Sequence, residues 1–234
     1  MSAARRDELA ANLAAVEGRI TAACTSAGRA RDEVQLVVVT KFFPRGDLDL
    51  LAGLGVTEIG ENREQEAAAK LADGGTPAGV RTHFIGQLQS KKANAVARWA
   101  DVVQSVDRSK LVNALARGAE LAGRDLTLLV QVDLDPEPDG RRGGADPADV
   151  PALADEIAGS PLRLGGLMAV APLDADPDAA FERLARLHER VLADHPDATM
   201  LSAGMSGDLE QAVRHGATHL RVGTAILGTR PSHR

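Results

Sequence analysis

The sequence predicts an α/β fold: a single (β/α)8 barrel of the TIM type, preceded by one extra helix. Three observations predict it. Eight short apolar or β-branched runs recur along the 234 residues, each followed by a helical segment or stub, at spacings that suit βαβ units. No G-x-G-x-x-G follows any of these runs, which argues against the main competitor, an open doubly wound sheet. No linker is long enough to divide the chain. Residues 1–234 are therefore read as one domain, with residues 1–30 as a helix packed on the barrel and 230–234 as a tail.

Each element has its own justification. Leu9, Leu13, Val16 and Ile20 fall at helical spacing between Asp7 and Ala27, and Gly28 is a stop. Gln35 to Lys41 is an unbroken β-branched run of the kind buried on both faces of a parallel sheet, ended by Phe42-Phe43-Pro44. Pro44 opens a helix through Leu48, Leu51 and Leu54 that closes at Gly55. Val56 to Gly60 is the second strand. Glu61 to Leu71 is a helix with Glu61, Glu64 and Glu66 as a solvated acidic first turn, Glu61 being close enough to the strand end to face the mouth.

Thr82 to Gly86 is the third strand, and Ser90 reads as the N-cap of a helix to Trp99. Asp101 to Val106 is the fourth strand, with Asp107 as cap of the helix Ser109 to Leu121. Leu126 to Val132 is the fifth, followed by a loop from Asp133 to Ala145, rich in glycine, proline and charge. Asp146-Pro147 then places a cap and an N1 proline before a helix to Ala158. Strands at Leu162 to Val170, Thr199 to Ser202 and Thr218 to Val222 alternate with helices at Pro177 to Ala193 and Asp208 to His215.

Composition excludes several classes of function. A net charge of −6 and five aromatic residues leave neither a basic face nor a stacking platform for nucleic acid. No apolar run has the length of a membrane span, and no signal peptide opens the chain, so the cytoplasm is expected. One cysteine, Cys24, excludes an internal disulfide and any multi-cysteine zinc site, and reads as packing. The six histidines have no metal spacing; His188 and His195 read as solvated.

If the barrel closes, the C-terminal strand ends gather Lys41, Asn62, His83 with Gly86, Met168, Ser206 and Gly223-Thr224 on one face, where such barrels carry their chemistry. A partly desolvated lysine at a strand end has a depressed pKa and can act as a Schiff-base amine. The structural alternative is a surface lysine that closes a strand. Arg221-Val222-Gly223-Thr224 resembles a phosphate cup, with a glycine that lets backbone approach an anion and a hydroxyl at a helix start. Ser206 before the seventh helix offers a second hydroxyl. Read structurally, Ser206 or Asp208 caps a helix and Gly223 turns the chain.

In combination, Val39-Thr40-Lys41, Gly60-Glu61-Asn62, His83-Phe84-Ile85-Gly86-x-Leu88-Gln89, Gly166-Leu167-Met168, Gly204-Met205-Ser206-x-Asp208 and Arg221-x-Gly223-Thr224 resemble the pyridoxal 5′-phosphate (PLP) homeostasis protein family over nearly the full length. That family is similar to the barrel domain of alanine racemase, PLP fold type III. The resemblance implies that Lys41 forms the internal aldimine, that Ser206 with the backbone of Gly223 and Thr224 binds the phosphate, and that Arg221 faces the pyridine nitrogen. Asn62 and Met168 are implied in the wall around the ring. Three features depart from the family pattern: Arg63 where tyrosine is usual, Lys91-Lys92 where an asparagine–lysine pair is usual, and Arg141-Arg142-Gly143-Gly144 in the loop after the fifth strand.

The expected function is PLP homeostasis: holding the cofactor and handing it on, with apo PLP-dependent enzymes as recipients, and without substantial turnover. A monomer is expected. The chain ends soon after the last barrel motif and has no tyrosine, so no second acid is expected across a bound amino acid. The alternatives are a PLP-dependent amino-acid racemase of low activity, a class I Schiff-base aldolase, and a non-catalytic scaffold.

Overall fold

Each β-branched run of the sequence forms a strand because alternate residues face two different apolar environments. One set lies against the surrounding helices and the other fills the barrel interior. The computed structural model describes residues 3–72, 74–135, 143–173 and 175–229. In chain order the elements are α1 (Ala3–Ser26), β1 (Gln35–Val39), α2 (Arg45–Gly53), β2 (Glu58–Glu61), α3 (Glu64–Ala72), β3 (Arg81–Phe84), α4 (Ala93–Ala97), β4 (Val102–Val106) and α5 (Ser109–Ala122). There follow β5 (Thr127–Val132), α6 (Val150–Ala158), β6 (Arg163–Ala169), α7 (Pro177–Asp194), β7 (Met200–Ser202), α8 (Leu209–Arg214), β8 (His219–Val222) and α9 (Thr224–Leu227).

All eight strands are parallel and close in sequence order, with β1 paired to both β2 and β8. The predicted (β/α)8 barrel with an added N-terminal helix is the fold observed. Outward residues such as Leu36, Val38, Ile59, Phe84, Val103, Leu128, Leu167 and Leu220 join the helices in one continuous core. Inside the barrel, Val102, Leu129 and Met168 form a separate apolar cluster with Met200 against it.

Helix α1 closes the seam between the chain's first and last units. The side chain of Asn12 donates to the carbonyl of Ile226, and Arg5 donates to that of Leu227 and to Asp47. Arg29 donates to the carbonyls of Val213 and Ala217. These bonds satisfy carbonyls that the ends of short helices leave open. Cys24, on the same helix, is buried and free.

Several local readings are corrected. Ser90 opens a 3-10 turn, Ser90–Lys92, without a side-chain cap. Asp107 pairs with Arg108, the residue that caps α5 from its backbone. Asp146 accepts the Ala148 N–H at 2.8 Å in a turn that precedes α6, and Asp149 occupies the cap position. His188 is not solvated: it is buried against β7, and its ring hydrogen-bonds the Ala198 carbonyl at 2.8 Å. Burial holds its imidazole below the ordinary histidine range. Arg141, Arg142 and the tail 230–234 lie outside the described residues.

Candidate functional site

The barrel brings the expected strand ends together by register. Val39 pairs with Gly60, and Thr40 N–H donates to the Gly60 carbonyl, so Lys41 and Asn62 leave adjacent strands at the same level. Val38 pairs with Val222 on the other side. A Cβ on Gly223 would stand 3.1 Å from the Val39 carbonyl, so this glycine packs directly against β1. Gly86, at the end of β3, is tighter still. A Cβ there would fall 2.0 Å from the Asn62 carbonyl.

β1 ends two residues sooner than expected, so Lys41 lies in a turn after the strand rather than in it, and is partly exposed. Its Nζ is 5.9 Å from the ring of Phe42. Phe42 has φ 69°, a left-handed backbone that a bulky residue adopts only when its surroundings hold it there. Here the Phe42 N–H donates to Glu66, and the Arg63 guanidinium sits 4.9 Å from the ring centroid. Arg63, one of the departures from the family pattern, thus covers the turn that follows Lys41.

Glu61 is corrected from a solvated helix turn to a buried strand end. Its Oε1 accepts the Thr40 hydroxyl and the Lys70 ammonium, both at 2.6 Å, and Lys70 also donates to the Thr40 carbonyl at 2.8 Å. Glu61 Oε2 is buried with no hydrogen-bond partner among the described residues. Burial pushes this carboxyl up, against the pull of Lys70 and Thr40. The three groups clamp the residue before Lys41 from α3. The remaining acids are divided: Glu66 holds Phe42, and Glu64 faces Lys92 at 3.8 Å.

Two strands round from Lys41, the loop after β7 carries Ser206. Asp208 does not cap α8 with its side chain; its Oδ1 accepts the Met205 N–H at 2.6 Å and tightens the turn that presents Ser206. The Ser206 carbonyl accepts from Arg19 of α1, which also grips Glu210. Gly223 stands at the start of α9 and Thr224 is its first residue, exposed at the mouth. The first N–H groups of such a helix have no intrahelical acceptor.

Arg221 is buried inside the barrel. Nη1 donates to Ser202 Oγ at 2.6 Å and Nη2 to the Ala169 carbonyl at 2.7 Å. Among the described residues no carboxylate bonds it, and desolvation brings its guanidinium down to about 10. Met168 lies in the interior cluster with Val102 and Leu129. His83, expected at the mouth, instead lies deep in the interior between Glu58 and Gln104.

Some mouth residues carried no signal in the sequence. The Gln131 amide donates to the Gly143 carbonyl, and Gln87 and Asp107 converge on the same glycine. A cleft of about 480 Å³ opens beside Asn62, lined by Arg63, Gln87, Gln89 and Lys92. A larger cleft, about 710 Å³, runs along the outside of α5 by Gly123 and Pro161, and none of the mouth residues lines it.

Residues 9–231 match the family model described as "Alanine racemase, N-terminal domain". A pyridoxal phosphate homeostasis protein of Mycobacterium tuberculosis is 46% identical over 97% of this chain and 94% of its own length. One of Escherichia coli is 35% identical over 96% of this chain and 97% of its own. The structure of PipY from Synechococcus elongatus with PLP bound superposes with a TM-score of 0.81, at 33% identity, covering 94% of this chain and all of that one. On these likenesses, and on a barrel that carries the motifs at its strand ends, the chain belongs to the pyridoxal phosphate homeostasis protein family.

Proposed function

We propose that this protein binds PLP at the C-terminal mouth of the barrel, holds it on Lys41, and passes it on within the cytoplasm without substantial turnover. One observation carries the reading: Lys41 and the Arg221–Thr224 segment end neighbouring strands, with β1 and β8 in register, in a chain of this family. The donor set suits the cofactor. Arg221 offers only N–H groups and is bonded to neutral acceptors, which matches a pyridine nitrogen that accepts. Ser206, Thr224 and the first N–H groups of α9 suit a phosphate dianion.

When bound to a lysine amine, PLP supplies a reversible carbon–nitrogen link and an electron-withdrawing ring. The protein's part is to place Lys41, to anchor phosphate through Ser206, Gly223 and Thr224, and to wall the ring with Asn62 and Met168. Arg221 faces the ring nitrogen and disfavours its protonation, because a guanidinium has no acceptor to share. That weakens the ring as an electron sink. The sequence holds no tyrosine to act as a second acid. Both features favour storage over chemistry. The recipients are apo PLP-dependent enzymes, and the carrier is a monomer.

Borohydride reduction followed by peptide mass spectrometry tests the attachment. The label is expected on the Lys41 peptide; a label confined to Lys91, Lys92 or Lys110 refutes it. Sustained α-proton exchange of alanine or serine, lost in Lys41→Ala, would refute the storage role while leaving the binding site intact.

A further inference from the structure

The interior of such a barrel is ordinarily filled by bulky branched side chains. Here a line of polar groups crosses it instead. Glu58 on β2 bonds His83 Nε2; His83 Nδ1 faces Gln104 Nε2 at 2.7 Å; Gln104 Oε1 takes the Ser202 hydroxyl at 2.7 Å; and Ser202 takes Arg221 Nη1 at 2.6 Å. His83, Gln104 and Ser202 are each at most 0% exposed. Glu58 and Arg221 are 7% and 5% exposed. The chain joins β2, β3 and β4 to β7 and β8, and every member comes from a different strand.

We propose that Glu58, His83, Gln104 and Ser202 form a one-way hydrogen-bond chain that positions Arg221 against the cofactor's ring nitrogen, with Glu58 fixing its direction from the far end of the chain. This rests on the PLP reading above and adds four positioning residues to it.

The direction follows from counting donors. Arginine cannot accept, so Ser202 Oγ must. The single Ser202 proton then goes to Gln104 Oε1, which leaves the Gln104 amide N–H for His83 Nδ1. A nitrogen that accepts carries no proton, so His83 holds its proton on Nε2 and donates it to Glu58. An ionised carboxylate can only accept, and this closes the sequence. Burial opposes ionisation of Glu58, but the hydrogen bond from His83 and the charge of Arg81 hold the carboxyl below its usual range. Four steps therefore point the same way, from guanidinium to carboxylate. The charged groups facing the chain are Arg81, 3.4 Å from Glu58, and Asp208, whose charge Arg221 feels; His219, its ring 6.2 Å from that of His83, is held neutral by burial.

A buried polar line is costly when an apolar filling would fold as well, and a half-satisfied one is worse. This one is satisfied throughout, and its effect is concentrated at one end. Arg221 spends one N–H on Ser202 and one on Ala169, which fixes the plane of the guanidinium. Its other donors then keep one orientation. An alternative Gln104 flip is incompatible with the direction that Glu58 sets, and a rotated guanidinium would give up the Ala169 bond.

Two measurements test this. In the cofactor-free protein, nitrogen-15 NMR of labelled histidine should give His83 as the neutral Nε2–H tautomer, with two widely separated nitrogen shifts. A doubly protonated His83, or the Nδ1–H tautomer, overturns the chain. In protein loaded with ring-labelled PLP, Gln104→Leu and Ser202→Ala should move the ring-nitrogen resonance and weaken PLP retention about tenfold, the size of one lost hydrogen bond to a charged group. Lys41 labelling should stay complete, and Ser202→Thr should restore the resonance. An unmoved resonance in both variants overturns the positioning role even if their stability falls. If the wild type takes up no PLP, the proposed function fails, and the His83 tautomer still judges the chain alone.

Discussion

Lys70→Met isolates the clamp beneath Lys41. The substitution keeps the length and apolar stem of the side chain and removes its charge. Glu61 is then left buried with one oxygen that already lacks a partner and another that keeps only the Thr40 hydroxyl. Breaking a buried pair in this way costs about 3–5 kcal/mol. The carboxyl can escape part of that by taking a proton. Its cost is then about 1.36 kcal/mol for each pH unit above the ordinary glutamate value of about 4.3, or about 3.7 kcal/mol at pH 7 and about 1 kcal/mol at pH 5. The sign follows from linkage. Burial raises the folded-state value, so the folded variant binds more protons than the unfolded chain, and its stability falls as pH rises toward that value. Urea unfolding of wild type and variant at pH 5, 6 and 7 reads the difference directly. The deficit should grow with pH, and Glu61→Gln with Lys70→Met should recover most of it at pH 7. A deficit that is the same at all three pH values, or that persists in the double variant, refutes the buried-charge account.

Three further outcomes are expected. Ser206→Ala and Thr224→Ala should each weaken PLP binding at least tenfold while changing pyridoxal binding little, by equilibrium titration, since a hydrogen bond to a charged group is worth about 1.5–3 kcal/mol. Gly86→Ala should lower the melting temperature sharply and impair PLP uptake, because the new Cβ would meet the Asn62 backbone, not a side chain that can rotate away. His219 is held down to about 4 chiefly by burial, with the charges of Arg81 and Arg221 adding to it. Its folded value is depressed, so its contribution is full above about pH 6.5 and is lost as pH falls toward 4, at no more than about 1.36 kcal/mol per pH unit. In urea unfolding, His219→Gln should flatten the stability profile across that window.

The barrel was legible because its evidence is local. Runs such as Leu36 to Val39 and Leu126 to Val132 name buried strands by composition, and α7 and α5 name themselves by period. What stayed hidden depends on partners distant in sequence. Glu61 looked like an acidic first turn because its neighbours Glu64 and Glu66 belong to one, whereas its partners are Thr40 and Lys70. The line from Glu58 to Arg221 links positions 98 apart at its Gln104–Ser202 bond, and no window of the sequence contains it. A signal did exist: Gln104 and Ser202 are polar residues within apolar strands, on the alternation that faces inward. The strand ends expected for Lys41, Asn62, Ser206, Gly223 and Thr224 meet at one mouth. Their contacts with a cofactor are the part that the borohydride and titration experiments decide.

The seam closed by α1 also has a consequence for how the protein is made. Asn12, Arg5 and Arg29 bond carbonyls between Val213 and Leu227, and β1 pairs with β8. The first strand therefore has no second neighbour until the last one is synthesised. From Lys41 to Thr224 is 224 − 41 = 183 residues. At about 5–20 residues per second, translation needs about 10–40 s to cover them. During that interval a nascent chain already carries its lysine but has neither Arg221 nor the turn at Gly223. On the proposed function, cofactor capture waits until β8 has been made, and until then β1 keeps one edge without a pairing strand.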